Sequence, residues 1–242
     1  MLTGKQFKRA FISGANNILN HRKDVDALNV FPVPDGDTGT NMSMTSSAAV
    51  RELQVVSDDE DLSIVAAKTA AALLRGARGN SGVILSLVFR GISNGFKGKK
   101  EVGGKDLAAA LTLGKESAYK AVMKPTEGTI LTVVRKAAAA AEALALDDCG
   151  AVLDEAYRAA QEALAETPEL LPVLKEAGVV DAGGQGFLYI LDGIRGYINE
   201  GKFIESNDDA SPAKSNAEES KSVVAAASGD IKYGYCSEFL IT

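Results

Sequence analysis

From residue 3 to residue 200, apolar side chains recur three and four positions apart, and alanine runs such as 137–141 reinforce the spacing. That period commits the chain to helices whose apolar faces are buried against one another. Alanine is the strongest helix former, so the runs add local propensity to the pattern. Thr3 with Gln6 three places on is a capping box, opening a helix over 3–20 with Phe7, Ala10, Phe11, Gly14, Ala15 and Ile18 on one face. Further helices are expected from about Asn41 to Leu53, from a second capping box (Ser57, Glu60) to Arg75-Gly76, from Ser81 to about Phe96, and from Lys105 to Met123. The sixth is capped by Thr126, the seventh covers 150–166, and the eighth runs from after Asp181-Ala182-Gly183-Gly184 to before Gly201. Thr167-Pro168 opens a short turn between the last two. Short connections make successive helices antiparallel. No strand is expected before residue 220, since Val30–Val33 is proline-rich. The fold class is all-α, an antiparallel bundle of about eight helices.

After Gly201 the composition changes. Residues 205–221 are polar, charged and small, the make-up of a flexible linker, and KYGYCSEFLIT then alternates like a first strand. The organisation expected is a helical domain over 1–203, a linker over 204–224, and the start of a second domain over 225–242. The chain stops before that last element would pack, which reads as truncation of a longer protein.

Composition closes off several function classes. Hydrophobic residues are 46% and charged residues 24%, a globular balance, and the net charge of −6 disfavours a nucleic-acid surface. The N-terminal stretch carries charges and Asn where a signal peptide would be apolar, and no window nears the roughly 18 apolar residues of a membrane span. A cytoplasmic protein with no membrane span is the reading, and two distant cysteines, Cys149 and Cys236, agree with a reducing compartment. A single histidine, His21, removes Ser-His-Asp catalysis and His-rich zinc sites. There is no Trp for base stacking and no Walker-type phosphate loop.

Four turns carry the chemistry. In Asn29-Val30-Phe31-Pro32-Val33-Pro34-Asp35-Gly36-Asp37-Thr38-Gly39-Thr40-Asn41, two carboxylates stand two residues apart on a Pro/Gly turn before a helix. Unit charges about 4 Å apart repel by about 4 kcal/mol at an effective dielectric near 20. A cation offsets that cost, and oxygen ligands of this kind suit Mg²⁺ shared with phosphates, while helix-start N–H groups favour an anion. The plain alternative is a surface turn at Asp35-Gly36 with Asp37 as a helix cap. Arg75-Gly76-Ala77-Arg78-Gly79-Asn80-Ser81-Gly82 opens the next helix with backbone able to approach a phosphate, or is a simple inter-helix turn. Lys124-Pro125-Thr126-Glu127-Gly128-Thr129 and Asp181-Ala182-Gly183-Gly184 are two more helix openings, rich in hydroxyl donors or glycine. If alternate loops share one end of the bundle, the four build a polar rim around a cavity. His21 reads as a dipole-compensating or surface residue, Lys97, Lys99 and Lys100 as a solvated loop, and Cys149 as unreactive beside Asp147 and Asp148.

The runs LNVFPVPDGDTGTNM, GARGNSGVILS, KPTEGTILTV and KEAGVVDAGGQG, in this order, resemble the nucleotide-binding domain of bacterial fatty acid kinases, relatives of the DhaL-type subunit of dihydroxyacetone kinase. The resemblance covers residues 1–203 and implies an eight-helix antiparallel barrel holding ATP and two Mg²⁺ ions at one end. It implies metal ligation by Asp35 and Asp37, with Asn29 where the related pattern has a third Asp. It implies nucleotide binding by Thr38, Gly39, Thr40 and Asn41, by Asn80, Ser81 and Gly82, by Thr129 and Ile130, and by Asp181, Ala182 and Gly183, the last three in place of an Asp-Pro-Gly turn. The reaction implied is phosphorylation of a fatty acid carboxylate presented by a fatty-acid-binding partner protein, giving an acyl phosphate. This chain alone is expected to bind ATP with weak or no turnover, and a homodimer of the full-length protein is left open. A dihydroxyacetone-type small-ketone kinase subunit and a non-catalytic nucleotide-binding or docking module are the alternatives. Cys236 resembles one ligand of a structural zinc site whose histidine partners are not in this sequence.

Overall fold

The computed structural model describes residues 1–207; most of the expected linker, the segment 225–242 and Cys236 lie outside the described residues. Its elements are β1 (Leu2–Thr3), α1 (Gly4–Asn20), α2 (Arg22–Ala27), α3 (Thr38–Gln54), α4 (Leu62–Arg75), α5 (Gly79–Gly95) and β2 (Glu101–Val102). There follow α6 (Gly104–Ala121), α7 (Ile130–Leu144), α8 (Cys149–Ala165), α9 (Thr167–Leu170), α10 (Pro172–Ala177) and α11 (Ala182–Glu200). The eight long helices pack in chain order, α1 on α3, α3 on α4 and so on to α8 on α11, and α11 packs back on α1. The ring therefore closes into the antiparallel barrel expected. Phe11, Phe96, Leu85 and Ile190 are fully buried inside it, with edge-to-face pairs Phe11–Phe89 at 5.1 Å and Phe7–Phe96 at 5.9 Å. Such contacts fill the barrel axis down to an apolar void of about 50 Å³.

Helix ends separate what local sequence determines from what tertiary contact determines. The Thr3–Gln6 capping box forms, with Gln6 N–H donating to Thr3 Oγ1 at 3.3 Å and Thr3 N–H to Gln6 Oε1 at 3.0 Å. The Ser57–Glu60 box does not cap α4. Asp61 holds the N-cap position, and the Leu62 and Ser63 amides donate to the backbone carbonyls of Lys100 and Lys99, each at 3.0 Å. With those amides satisfied by the segment that follows the neighbouring α5, Ser57 instead accepts from Asp59 N–H at 3.3 Å. Thr126 likewise yields its capping place to Thr129, and Thr167 lies inside α9 with Glu166 as N-cap. Four short elements, α2, α10, β1 and β2, escape the sequence pattern. The six-residue α2 is too short to show a helical period, and β1–β2 is a two-residue antiparallel pair, Leu2 opposite Val102 and Thr3 opposite Glu101.

Residues 204–207, assigned to the linker by composition, lie along α1. Ser13 Oγ accepts from Ile204 N–H at 3.1 Å, Asn16 donates to the Ile204 carbonyl at 2.8 Å, and Asn20 donates to the Glu205 carbonyl at 2.9 Å. Among the described residues, no helix is long and apolar enough to cross a membrane.

Candidate functional site

Alternate members of the ring, α3, α5, α7 and α11, begin at the same end of the barrel. The turns that open them surround a cavity of about 780 Å³. Its wall is two-sided. Val83, Ile84, Leu87, Val122, Ile130 and Leu131 supply an apolar side, while Asp35, Asp37, Thr38, Asn41, Asn80, Ser81, Thr129 and Asp181 supply a polar one.

The 29–37 loop, with a cis Phe31–Pro32 bond, is clasped by Asn29. Its amide nitrogen donates to the Val33 carbonyl at 2.7 Å, and its oxygen accepts from both the amide and the hydroxyl of Thr38. One turn back, the Asp26 carboxylate accepts from Thr40 N–H at 2.9 Å and from Thr40 Oγ1 at 2.7 Å. Asn29 and Asp26 thus satisfy two of the first amides of α3, which is why the helix starts at Thr38 rather than Asn41. Asp37 sits at the N-cap, yet its side chain makes no capping bond. Asp35 is exposed and Asp37 half-buried, and neither forms an ion pair with a described residue. The pair is therefore available to a cation, whereas the oxygen of Asn29 is already engaged. Among the described residues, no group of three or more His, Cys, Asp or Glu is gathered as for a metal ion. A two-carboxylate site fits Mg²⁺, which keeps water or phosphate oxygens in its remaining positions.

The opening of α5 is built differently. Gly79 takes φ of +60°, and a Cβ there would lie 2.5 Å from the Asn41 side-chain nitrogen, so only glycine lets α5 start against α3. Thr45 fixes the approach, its hydroxyl accepting from Arg78 N–H at 3.1 Å and donating to the Asn41 carbonyl at 2.7 Å. Arg78 is the N-cap and offers no side-chain acceptor. The amides of Gly79, Asn80 and Ser81 consequently open the helix beside the cavity without a capping side chain.

The starts of α7 and α11 share one carboxylate. Asp181 caps α11, accepting from Gly184 N–H at 2.7 Å, and it also meets the Ile130 amide at the head of α7. Burial pushes this carboxyl up to about 6, against the opposing effect of the two amides. Thr167 holds Asp181 in place, accepting from its N–H at 3.1 Å. In the turn before α7, Glu127 accepts from Tyr119 at 2.9 Å, Thr132 at 2.6 Å and Arg135 at 2.7 Å. Burial raises the Glu127 carboxyl, but the bonds from Arg135, Thr132 and Tyr119 outweigh it and hold the group below its ordinary value.

The cavity thus brings together Asn29, Asp35, Asp37, Thr38, Asn41, Asn80, Ser81, Thr129, Ile130, Asp181 and Gly183 from four separate motifs. Gly39, Thr40, Gly82 and Ala182 do not line it. A Cβ on Gly39 would lie 2.1 Å from the Arg22 carbonyl oxygen, and one on Gly82 would lie 2.4 Å from Thr45 Oγ1, so both serve helix packing. Thr40 is occupied by Asp26, and Ala182 is buried. Asp26 and Thr45 escaped sequence reasoning, and Thr167 was read only as the opening of a turn; the Asp26-x-x-Asn29 spacing before the loop was the one signal for the first of them. His21 stands outside the cavity, stacked on Tyr189 with ring centroids 4.3 Å apart. Cys149 is buried at the head of α8, and burial together with Asp148 and Asp147 raises its thiol.

Residues 32–196 match the DAK2 domain family. The chain belongs to that family. Over 99% of its length the DAK2-family chain is 43% identical to Protein YloV of Bacillus subtilis, and 42% identical to an uncharacterised protein of Staphylococcus haemolyticus. It spans 44% of the length of each. In fold, the DAK2 domain is similar to the dihydroxyacetone kinase of C. freundii, solved in complex with AMP-PNP and Mg²⁺. The TM-score is 0.60 at 19% identity, covering 78% of this chain and 33% of that one. The native form of that kinase gives a TM-score of 0.55.

Proposed function

We propose that this chain is the ATP- and Mg²⁺-binding domain of a kinase that phosphorylates a fatty acid carboxylate held by a separate fatty-acid-binding protein. The observation that carries the nucleotide reading is the cavity itself, where an unpaired Asp35–Asp37 pair and the uncapped start of α5 face an apolar wall. Its volume of about 780 Å³ lies within the range of small-molecule sites. Val83, Ile84, Leu87 and Val122 provide the surface for a base, the amides of Gly79, Asn80 and Ser81 meet phosphate oxygens, and Asp35 and Asp37 hold Mg²⁺. The resemblance calls for two such ions. When bound, Mg²⁺ supplies positive charge against the phosphates, which is the main demand of phosphoryl transfer. The acyl acceptor rests on the motif resemblance, and the chemistry of the wall agrees with it. A carboxylate is ionised at neutral pH and needs no general base, and the sole histidine stands away from the cavity.

Calorimetry with ATP and Mg²⁺ on the wild type and on Asp35→Asn/Asp37→Asn tests the nucleotide reading. Metal-dependent binding lost by at least a hundredfold in the double variant is expected; equal affinity in both refutes it. Formation of acyl phosphate with a lipid-loaded partner tests the acceptor. The fold likeness to dihydroxyacetone kinase favours a second reading, a small-ketone kinase subunit. Turnover with a dihydroxyacetone-binding subunit and none with fatty acid decides for it.

A further inference from the structure

The sequence offers three cations near the phosphate-binding turns, Arg75, Arg78 and Lys124, and the structure separates them. Arg75 is paired with Glu52 at 2.9 Å, away from the cavity. Arg78 is exposed at the N-cap of α5 and does not line the wall. Lys124 is the one basic side chain on the wall among the described residues. We propose that Lys124 is the cation that contacts the phosphates of the bound nucleotide, an inference that rests on the nucleotide reading above and assigns a residue within it.

Two features of the turn between α6 and α7 support the assignment. The turn's own carboxylate, Glu127, is occupied by Arg135, Tyr119 and Thr132, so it does not neutralise a lysine three residues away. No described carboxylate forms a salt bridge with Lys124, which stands in the same cavity as Asp35, Asp37 and Asp181 without pairing to any of them. The same Glu127 bonds, with Gly128 N–H donating to Thr132 Oγ1 at 2.8 Å, anchor the turn to α6 and α7. A lysine carried close to a fixed point loses less freedom on meeting a ligand than one on a loose loop. The four helix starts provide dipoles but no full charge, and three acids line the cavity, so a polyphosphate needs cationic help from the protein as well as from metal.

The test uses the chain itself with AMP-PNP and Mg²⁺ as the probe. Lys124→Met keeps the length and apolar stem of the side chain and removes the charge; Lys124→Arg keeps the charge. The expected result is at least a tenfold loss of AMP-PNP affinity in Lys124→Met, recovery to within threefold of wild type in Lys124→Arg, and thermal unfolding unchanged in both. A weaker dependence of affinity on salt in Lys124→Met than in wild type is the accompanying signature. Wild-type affinity in Lys124→Met overturns the assignment while leaving the nucleotide reading intact. An equal loss in both variants also overturns it, since charge then does not matter. A wild type that fails to bind AMP-PNP with Mg²⁺ refutes the nucleotide reading itself.

Discussion

The starts of α3 and α5 border one cavity, touch each other through Asn41 and Gly79, and are finished in opposite ways. At α3 two side chains from the preceding segment, Asn29 and Asp26, occupy the amides of Thr38 and Thr40, and Asp26 adds a negative charge to the positive end of the dipole. At α5 the N-cap is an arginine with nothing to offer the amides, and Gly79, Asn80 and Ser81 open toward the cavity. Two helix starts that look equally glycine-rich in sequence therefore have different capacities. The α3 start has two of its first three amides already taken, and by letting others do the capping it leaves Asp35 and Asp37 available to a cation. The α5 start is open to anions. A metal–polyphosphate needs one of each, side by side.

The closed end is the more costly to disturb. Gly39→Ala would place a methyl group 2.1 Å from the Arg22 carbonyl, a backbone atom that has no way to yield without moving α2. A loss of about 3 kcal/mol or more in urea unfolding is expected; an unchanged midpoint means that α3 does not pack this way. Next in size is Asp181, which closes the α7 and α11 starts. Its folded carboxyl titrates near 6 against an ordinary 3.8, so between those values the native state holds more protons than the unfolded chain. Stability therefore falls as pH rises from about 4 to 6, by up to about 3 kcal/mol, and the loss is flat above. Asp181→Asn keeps an oxygen for the Gly184 amide and removes that slope, which unfolding measured at several pH values reads directly.

Much of the barrel was legible because helix period, alanine runs and glycine turns are local signals. The eight long helices follow from them, whereas their closure, α11 packing back on α1, was implied only by the motif resemblance. The Thr3–Gln6 box formed because nothing distant competes for its amides. The Ser57–Glu60 box failed because the carbonyls of Lys99 and Lys100, nearly forty residues on, reach the same helix start. The site divides in the same manner. The motifs that surround it could be named from composition, and alternate placement in an antiparallel ring puts them at one end. Which amides are capped, and by whom, was not legible, since Thr45 and Thr167 act through contacts that leave no pattern in their own neighbourhoods and Asp26 leaves only its spacing from Asn29. Asn29 shows the limit most clearly. The motif resemblance implies a metal ligand there, whereas the folded loop engages its oxygen with Thr38.

Asn29→Asp sharpens that point. A clasp loses its donor to the Val33 carbonyl and sets carboxylate oxygen against carbonyl oxygen, so the fold weakens by about 2 kcal/mol and Mg²⁺ binding with it. A ligand gains charge, and Mg²⁺ binding tightens. Opposite signs in a magnesium titration decide between them.

The smallest effect on stability is the most direct attack on the comparison. Arg78→Asp installs an acceptor at the α5 N-cap, where the backbone already has the extended conformation that capping residues adopt, φ −131° and ψ 137°. The new carboxylate would take the Ser81 amide and add a favourable charge to the dipole, raising stability by about 1 kcal/mol. It would also cap the uncapped α5 start and, on the proposed nucleotide reading, place negative charge beside the phosphates, so affinity for AMP-PNP with Mg²⁺ should fall at least tenfold. A variant that becomes more stable while losing its ligand separates the two roles of a helix start, since general damage to the fold would lower both quantities. If the variant is more stable and binds as well as wild type, the α5 amides are not what holds the phosphates, and the contrast with α3 has no bearing on binding.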